Sequence, residues 1–565
     1  MNRNVESHFA LNPTNIDIRR STFDRSHSLK TSFNVGDIVP FFLDEVLPGD
    51  TFNVDTSKVV RLQTLLTPVM DNIYLDTYFF FVPNRLTWSH WKQFNGENTE
   101  SAWIPQTEYE IPQITAPADS GWSVGTIADY LGVPTGVPNL SVSALPFRAY
   151  ALVINEWFRD ENLSDPLVVP VDDATVAGVN TGTFVTDVAK GGLPYKAAKY
   201  HDYFTSCLPS PLKGPDVLIP SATSGEYPVV TREQPHDPGG FVLTGLSNIS
   251  FAFGDRPINI YDSLAFKPVS AGSSYAGITG YGAGADKPGF DPVNLYAVAS
   301  GGLGASINQL RMAFQIQKLY EKDARGGSRY IEILKSHFGV TSPDARLQRP
   351  EYLGGNRVPI NINQVVQQSA TASGETAQGT VTGMSVTTDT HSDFIKSFTE
   401  HGFVIGVMVA RYDHTYQQGL ERFWSRKDRF DYYWPVFANI GEQAVKNKEI
   451  FAQGPGVKDS AGSVIDEQVF GYQEAWADYR YKPSRVTGEM RSQYAQSLDV
   501  WHLADDYSAL PMLSDSWIRE DKANVDRVLA VTSAVSNQLF ADIYIKNRTT
   551  RPMPMYSIPG LIDHH

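Results

Sequence analysis

The chain contains a single cysteine, Cys207, in 565 residues, and it has no segment typical of a signal peptide or a membrane helix. One cysteine excludes an internal disulfide framework, which suits folding in a reducing compartment. The longest strongly apolar run, residues 403–410, is far shorter than the roughly 18–20 residues that a transmembrane helix needs. We therefore expect neither secretion through a signal peptide nor insertion into a membrane.

Positive charge is also scarce, since 47 Lys and Arg residues against 62 Asp and Glu residues give a net charge of −15. Affinity for phosphate comes chiefly from Lys and Arg that displace counterions, so this balance disfavours nucleic-acid binding over the whole surface. Local basic patches can still bind. One candidate is the N-terminal arm, where Arg19, Arg20 and Arg25 are potential contacts to nucleic acid, with a merely solvated arm as the alternative.

Sequence motifs of common enzymes and metal sites are missing as well. The chain has no HExxH, CxxC, GxSxG or GxxxxGK[ST] motif, and its glycine-rich segments YGAGADKPG and GGLGAS do not complete GxGxxG. His391, Asp393, His401 and His414 are close in sequence, but their spacing matches no familiar metal site. We therefore predict no catalytic residues, no metal and no cofactor.

One short motif, Asn155-Glu156-Trp157, invites comparison with glycoside hydrolases, because an Asn-Glu pair carries the acid/base carboxylate in one large group of them. That chemistry requires a second carboxylate about 5–9.5 Å away. Here Glu156 falls within residues 146–162, PFRAYALVINEWFRDEN, whose apolar residues recur at helical spacing. We therefore favour a solvated glutamate on an amphipathic helix over a catalytic acid.

What the chain has in abundance is apolar and aromatic side chains, at 42% hydrophobic and 12% aromatic residues. The most informative segment is residues 73–82, IYLDTYFFFV, which is largely apolar on both sides of a two-residue period. A strand with two apolar faces must be covered on both. It therefore belongs inside a sandwich or barrel, or beneath a helix or a neighbouring subunit.

Shorter strand patterns occur at residues 39–43, 51–54, 403–410 and 539–546, and Pro40 places the first of these at a sheet edge or a strand end. Short strands separated by long insertions favour one mainly β protein, an elaborated β-sandwich, over a string of small domains.

The remaining segments complete this organisation. Two helices are predicted after residue 305, the first capped by Ser306 and the second ending at Gly339. Residues 365–388, rich in Gln, Ser and Thr, are predicted to be a loop. The predicted regions are an N-terminal arm with the first strands (1–60), core with a helical insertion (61–213), an inserted surface loop or protrusion subdomain (214–304), helices with the remaining core (305–546) and an extended tail (547–565).

A basic and aromatic segment, residues 422–434, RFWSRKDRFDYYW, is a second candidate for nucleic acid. Its cations are Arg422, Arg426, Lys427 and Arg429. Stacking of one base on an aromatic side chain is worth about 1–3 kcal/mol. Burying such a side chain in a core is worth about the same, roughly 1.5–3 kcal/mol. The energies do not discriminate, so a core or a subunit interface stays open beside single-stranded nucleic acid.

Long segments of the chain resemble the major capsid proteins of the Microviridae, small icosahedral bacteriophages with single-stranded DNA, and in particular their gokushovirus branch. The resemblance spans nearly the whole chain in one order. The matching segments are QTLLTPVMDNIYLDTYFFFVPNRLTW (63–88), LPFRAYALVINEWFRDENL (145–163), SRYIEILKSHFGVTSPDARLQRPEYLGG (328–355), TYQQGLERFWSRKDRFDYYWPVFANIGEQAV (415–445), FGYQEAWADYRYKPSRVTG (470–488), SLDVWHLADDY (497–507) and RPMPMYSIPGLID (551–563).

The resemblance implies an eight-stranded viral jelly roll with large loop and helical insertions. It further implies self-assembly into a T=1 icosahedral shell around circular single-stranded DNA, formed in the bacterial cytoplasm with an internal scaffolding protein and a minor pilot protein. Residues 214–304 would then be a surface protrusion that contacts a host receptor. A glycan-binding or receptor-binding β-sandwich is the alternative function.

The two chain ends suit an assembling subunit. The tail from Arg551 contains Pro552, Pro554 and Pro559, so it is expected to run extended across a surface and to contact a neighbouring subunit. A charge of −15 repeated around a polyanion also requires interior basic patches, a basic protein, polyamines or divalent cations to neutralise the genome.

Overall fold

The computed structural model describes residues 19–97, 107–215, 307–369 and 378–556, together with residue 217 and nine short strands between residues 229 and 297. By its internal contacts the chain divides into two units. One comprises Met1–Lys213 and Glu321–His565, and the other comprises Gly214–Tyr320. The first unit is mainly β.

Its principal strands are β1 (Ser21–Asp24), β2 (His27–Phe33), β3 (Val39–Val46), β4 (Thr51–Leu62), β5 (Ile73–Pro83), β6 (Glu351–Pro359), β7 (Thr387–Ser397), β8 (Gly402–Tyr412) and β9 (Leu539–Arg551). They form two antiparallel sheets, which fits the predicted β-sandwich.

The strand with two apolar faces, β5, lies inside the first sheet, whose order is β6-β5-β8-β3. The predictions at residues 73–82 and 403–410 are therefore confirmed, because both segments are central strands. β3 occupies the edge, as Pro40 indicated, and the pairing shifts register between Gly406 and Val407 opposite it. A Cβ on Gly406 would lie 2.8 Å from the Phe42 Cβ, so glycine lets the neighbouring strand side chains close over β8.

The second sheet is organised around β9, which pairs with β1 and β2 on one side and with β4 on the other, and β7 pairs with the far side of β4. Side chains of β9 alternate between buried and exposed along its length. The strand predicted at residues 539–546 is confirmed and continues to Arg551, because β1 of the N-terminal arm pairs with residues 548–551. The predicted tail thus begins five residues later than residue 547.

The core lies between the two sheets. Phe79 and Phe81 of β5 pack there with Phe52 of β4, Phe394 of β7 and Ile543 of β9. The opposite face of the first sheet is covered by a second cluster in which Phe80 and Val82 meet the helix α1 (Leu145–Val153). Both faces of β5 are therefore largely covered, as its sequence required.

The helices broadly follow the predictions. α1 continues as a wider turn over Ile154–Phe158, so the helix predicted at 146–162 ends four residues early, where Arg159 turns extended. The next long helix, α2, spans Ile307–Gly326, and Ser306, its predicted cap, lies outside the described residues. A following helical stretch, Tyr330–Phe338, ends at Gly339 in the left-handed conformation, with φ 69°.

The loop predicted at residues 365–388 is wrong in part. Ile362–Val366 and Val381–Ser385 pair as antiparallel strands, and β7 starts at Thr387. Val and Thr residues that fit a pleated strand outweigh the polar composition of this segment. The strand predicted at residues 51–54 likewise extends to Leu62, with alternate positions buried.

The other elements of the first unit are short. Its further strands are Gln113–Thr115, Ser141–Ser143, Val176–Ala177, Thr415–Tyr416, Glu442–Lys446, Val469–Glu474 and Ser484–Arg485. Its further α-helical turns are Asn84–Thr87, Trp91–Phe94, Ile127–Tyr130, Phe184–Asp187, Asp344–Leu347, Asn447–Ile450, Ala477–Arg480, Asp515–Ile518 and Ala523–Val528. Its 3-10 turns are Val188–Lys190, Arg422–Ser425, Arg429–Asp431, Pro435–Phe437, Ile465–Glu467, Gly488–Met490 and Asp499–Trp501. Over the described ranges, no helix has both the length and the hydropathy to cross a membrane.

The second unit, Gly214–Tyr320, contains the residues predicted to be an insertion at 214–304. The strands described in it pair in small antiparallel groups, and its outermost pair joins Val229 to Ala297. These strands are Val229–Thr231, Val242–Leu243, Leu246–Ser247, Phe251–Phe253, Arg256–Pro257, Phe266–Pro268, Ala276–Ile278, Phe290–Pro292 and Leu295–Ala297.

Phe79 should be the most costly side chain of β5 to truncate, because it is fully buried between the sheets and packs against Phe41, Phe42 and Phe394. We expect Phe79→Ala to lower the free energy of unfolding by about 3–5 kcal/mol. Urea unfolding of the unassembled subunit, followed by tryptophan fluorescence, measures the change. Ile395→Ala is the control, since Ile395 is 69% exposed on β7. Equal effects of the two substitutions would contradict the assignment of this core.

Candidate assembly and nucleic-acid surfaces

The arginines of the N-terminal arm are engaged to different extents with their own chain. Arg25 forms an ion pair with Asp44, with 2.5 Å between Nη1 and Oδ2. The Arg20 Nη2 donates to the Gly49 carbonyl at 2.6 Å and to the Thr51 hydroxyl at 2.7 Å. Arg19 is exposed. Arg25, one of the three arginines predicted to contact nucleic acid, is thus neutralised by Asp44 of β3.

The last residue of β9 and the first residue of the C-terminal tail lie against the same β3–β4 turn. The Arg551 guanidinium pairs with Asp50 at 3.0 Å and donates to the Glu45 carbonyl at 2.6 Å. The ring of Pro552 faces Gly49, which has a φ of +91°. Arg551 and Pro552 therefore contact their own chain, whereas the next residues, including Pro554, are exposed. Pro559 lies outside the described residues, and intersubunit contact by this tail stays a prediction.

Arg422 and Arg426 of the basic and aromatic segment are both paired internally. Arg422 Nη2 lies 2.8 Å from the Glu449 carboxylate, and Arg426 pairs closely with Asp478. Burial alone would lower the pKa of Arg422, but the charge and hydrogen bond of Glu449, together with Tyr203 and Asp478, outweigh burial and raise it. Lys427 and Arg429 are exposed. The structure thus separates the four predicted cations into two neutralised arginines and two surface cations.

The aromatic side chains of this segment lie mostly on the surface, not in a core. One of them, Tyr433, contacts Trp476, which is itself only 5% exposed and donates from Nε1 to the Phe437 carbonyl. Tyr433 and Phe437 contact the Trp476 ring at centroid distances of 5.8 and 6.5 Å. We define the aromatic surface as the exposed side chains of Phe423, Trp424, Phe430, Tyr432, Tyr433, Trp434, Val436, Tyr479 and Tyr481.

A cleft of about 420 Å³ opens beside one end of the aromatic surface. Phe423, Trp424, Tyr479 and Tyr481 line its rim. Its deeper wall includes Tyr203, Phe204 and Tyr416, which belong to a small buried cluster of their own. The cleft and the exposed rings together form an apolar, uneven surface on the first unit. Such a surface is suited to contact with another protein chain.

The histidines weighed as metal ligands do not form a site. Across the described ranges, no group of three or more His, Cys, Asp or Glu side chains could hold a metal ion. Asn155, from the motif weighed as catalytic, instead accepts hydrogen bonds from Arg159 at 2.9 Å and from the backbone of Leu167. That contact fixes the end of α1, which is a structural role.

His414 is buried between two carboxylates. Its Nδ1 lies 3.0 Å from Asp505 and its Nε2 lies 3.1 Å from Glu520. Lys199 Nζ is 3.8 Å from Asp505, and Tyr507 donates to the same carboxylate at 2.8 Å. Burial would lower the pKa of His414, but the two carboxylates outweigh burial and raise it to about 10. The formal charges of this cluster cancel, which is the pattern of an internal structural network.

The described residues thus define a class: an antiparallel β-sandwich protein with an aromatic outer surface and, within these ranges, no metal cluster. Comparison with known proteins is consistent with a structural role. The family model of the phage capsid protein, the F protein, matches residues 13–561. The chain therefore belongs to this capsid protein family, and it is a structural protein of a phage virion, not an enzyme.

Individual relatives agree. The chain is 42% identical to capsid protein VP1 of Chlamydia phage 1, over 99% of this chain and 98% of that protein. It is also 42% identical to capsid protein VP1 of Spiroplasma virus 4, over 96% of both chains, and of Bdellovibrio phage phiMH2K, over 99% and 98%. The resemblance to Microviridae capsid proteins is confirmed. A capsid protein assembles with its own copies, so surfaces for such contacts must exist.

Sequence reasoning found part of the aromatic surface but missed its support. The segment at 422–434 stood out by composition, whereas Trp476, Tyr479 and the carboxylates Glu449 and Asp478 lie further along the chain. The aromatic composition of residues 470–481 was a usable signal for Trp476 and Tyr479. No sequence signal links Arg426 to Asp478, 52 residues away.

The His414 cluster predicts a definite pH dependence of stability. Because the folded-state pKa of His414 is raised from 6.5 to about 10, its contribution is complete below 6.5 and is lost as the pH rises through about 10. Burial would raise the pKa of Asp505, but His414, Lys199 and Tyr507 together lower it from 3.8, so its contribution to stability is lost progressively as the pH falls below 3.8. Thermal midpoints of the unassembled subunit should therefore be highest between pH 3.8 and pH 6.5 and should decline as the pH rises towards 10.

His414→Gln tests this assignment. The substitution removes the buried cation and leaves two carboxylates facing each other, so it should destabilise the subunit by about 3–5 kcal/mol at pH 6. It should also flatten the decline of the thermal midpoint between pH 7 and 10. His201→Gln, at an exposed histidine, is the control. An unchanged decline in His414→Gln would show that other groups cause it.

Proposed function

We propose that this chain is the major coat subunit of a T=1 icosahedral shell that encloses a circular single-stranded DNA genome. The observation that carries the proposal is the 42% identity to capsid proteins of three phages along nearly the full chain. The resemblance to Microviridae capsid proteins supplies the expected shell geometry and genome.

We further propose that eight of the strands form a viral jelly roll. Leaving β1 aside, the two sheets have the orders β2-β9-β4-β7 and β3-β8-β5-β6. Consecutive strands β2 and β3, β4 and β5, β6 and β7, and β8 and β9 fall in opposite sheets. This alternation across a shared core supports a jelly-roll assignment.

The genome is proposed to contact exposed cations, with separate counterions neutralising most of its charge. Arg19, Lys427 and Arg429 are exposed. Arg25, Arg422 and Arg426 are less suited, because each is paired with a carboxylate of its own chain. With a net charge of −15 on each subunit, the proposed neutralising groups are interior basic patches, polyamines, divalent cations or a separate basic protein. An internal scaffolding protein and a minor pilot protein are the other proposed partners.

Electron microscopy of particles from the native source, with extraction of nuclease-protected nucleic acid from the same fraction, tests the shell and its content. We expect uniform small shells that hold circular single-stranded DNA. Soluble monomers, or slender trimers without protected DNA, would overturn the proposal and favour a glycan-binding or receptor-binding protein.

The unit Gly214–Tyr320 is proposed to contact a receptor on the host cell. Its support is the composition of residues 214–304, which is typical of a surface insertion, and its separation from the β-sandwich as a unit of its own. Loops carried on a rigid scaffold are common carriers of binding function.

A deletion separates attachment from assembly. Val229 and Ala297 are paired strand residues, so residues 230–296 can be replaced by a linker of a few Gly and Ser residues. We expect the deleted protein to assemble and to lose adsorption to bacteria that wild-type particles bind, measured as particles left in the supernatant. A second variant replaces residues 230–296 with a Gly/Ser linker of the same length. Unchanged adsorption of both would overturn the attachment role.

A further inference from the structure

The aromatic surface is unusually large for a free protein chain. Trp424 is 67% exposed, Phe430 60% and Val436 89%. An aromatic side chain offers about 150–250 Å² of surface, so eight aromatic residues at about half exposure present on the order of 800 Å². The largest apolar patch of a typical monomer is about 300–600 Å². One partner in a standard protein interface contributes about 800 Å².

This surface is held in place before any partner binds. The Trp434 Nε1 donates to the Arg429 carbonyl at 2.9 Å. The Asp431 carboxylate accepts from the backbone N–H groups of Lys427 and Asp428 at 2.8 and 2.9 Å. The Arg426 guanidinium lies 4.3 Å from the Tyr479 ring. A preorganised surface binds with a smaller entropic cost than a flexible one.

Most of its charges are paired within the chain. Arg422 and Arg426 are neutralised by Glu449 and Asp478. At the cleft, Lys482 and Arg485 share one carboxylate, Glu421, which leaves one positive charge in excess. The surface cations Lys427 and Arg429 are matched in number by Asp428 and Asp431. Single-stranded nucleic acid requires a strongly positive groove beside its stacking rings, so this near-balance of charge favours a protein partner.

From area, preorganisation and charge together, we propose that the aromatic surface is a contact between neighbouring copies of this chain. The proposal rests on the capsid role and names the surface that serves it. Aromatic side chains and arginine are enriched in protein interfaces, and a few central rings carry most of the binding energy. Trp424 and Phe430, the two most exposed rings, are the anchors.

The test compares two double variants. Trp424→Ser with Phe430→Ser removes the anchors, whose exposure leaves the fold little dependent on them. Tyr330→Ser with Phe338→Ser is the matched control, at 65% and 73% exposure in another segment. Sedimentation measures the fraction of protein in particles, and the thermal midpoint of the subunit checks folding. We expect at least a tenfold loss of particles for the anchor variant, with an unchanged thermal midpoint and a near-normal control.

A third variant, Val436→Arg, places a charge on the 89% exposed Val436 without removing any buried contact. It should weaken assembly in the same direction. Normal particle yield in both the anchor variant and Val436→Arg would overturn the proposal. Normal shells that lose nuclease-protected DNA would also overturn it, in favour of a polynucleotide contact.

The outcomes also distinguish failure of the proposed contact from failure of the proposed icosahedral shell. If the wild-type protein forms only small oligomers, the icosahedral shell fails. Conversion of those oligomers to monomers by the anchor variant would still support the contact. If wild-type shells form and the anchor variant forms them equally well, the contact fails while the shell stands.

Discussion

The architecture depends on the need to bury both faces of β5. A chain that places Phe79 on one face of a strand and Phe80 on the other must build two apolar layers around it. The second sheet supplies one layer and α1 with its neighbouring segments supplies the other. Each fully buried phenylalanine contributes about 1.5–3 kcal/mol relative to exposure, so leaving either face wet would remove a large part of the net stability of a domain.

That second sheet depends in turn on β9, which joins the two ends of the chain. β9 pairs with β1 and β2 from the N-terminal arm, and Arg20 and Arg551 meet at the β3–β4 turn from opposite ends of the sequence. The sheet therefore closes only after nearly the whole chain has been made. Segments whose pairing is so distant in sequence are slow to form, because loop closure must precede the contacts that reward it.

Elements whose formation is decided by neighbouring residues could be predicted from the sequence, whereas features decided by distant partners could not. β5, β8 and α1 carry their own periodicity, and their existence could be predicted from it. The pairing of Ile362–Val366 with Val381–Ser385 and the extension of β4 to Leu62 could not, because neither shows a regular apolar period. In β4 the polar residues Thr56 and Lys58 occupy buried positions, and in the other strand Val365 and Val366 are exposed. The neutralisation of the arginines in residues 422–434 could not be predicted from the sequence either. The composition of this segment suggested a basic surface, and only partners 27 and 52 residues away neutralise Arg422 and Arg426.

The net charge of the subunit explains why such neutralisation matters for assembly. Copies that each carry −15 repel one another, and solvent ions screen this repulsion only beyond a Debye length of about 8 Å at physiological ionic strength. Within that distance, a contact between copies must not add repulsion of its own. A surface whose cations and carboxylates nearly balance, and whose exposed rings gain free energy by leaving water, satisfies both conditions. The same near-balance of charge that disfavours a polyanion on the aromatic surface therefore favours another copy of the chain.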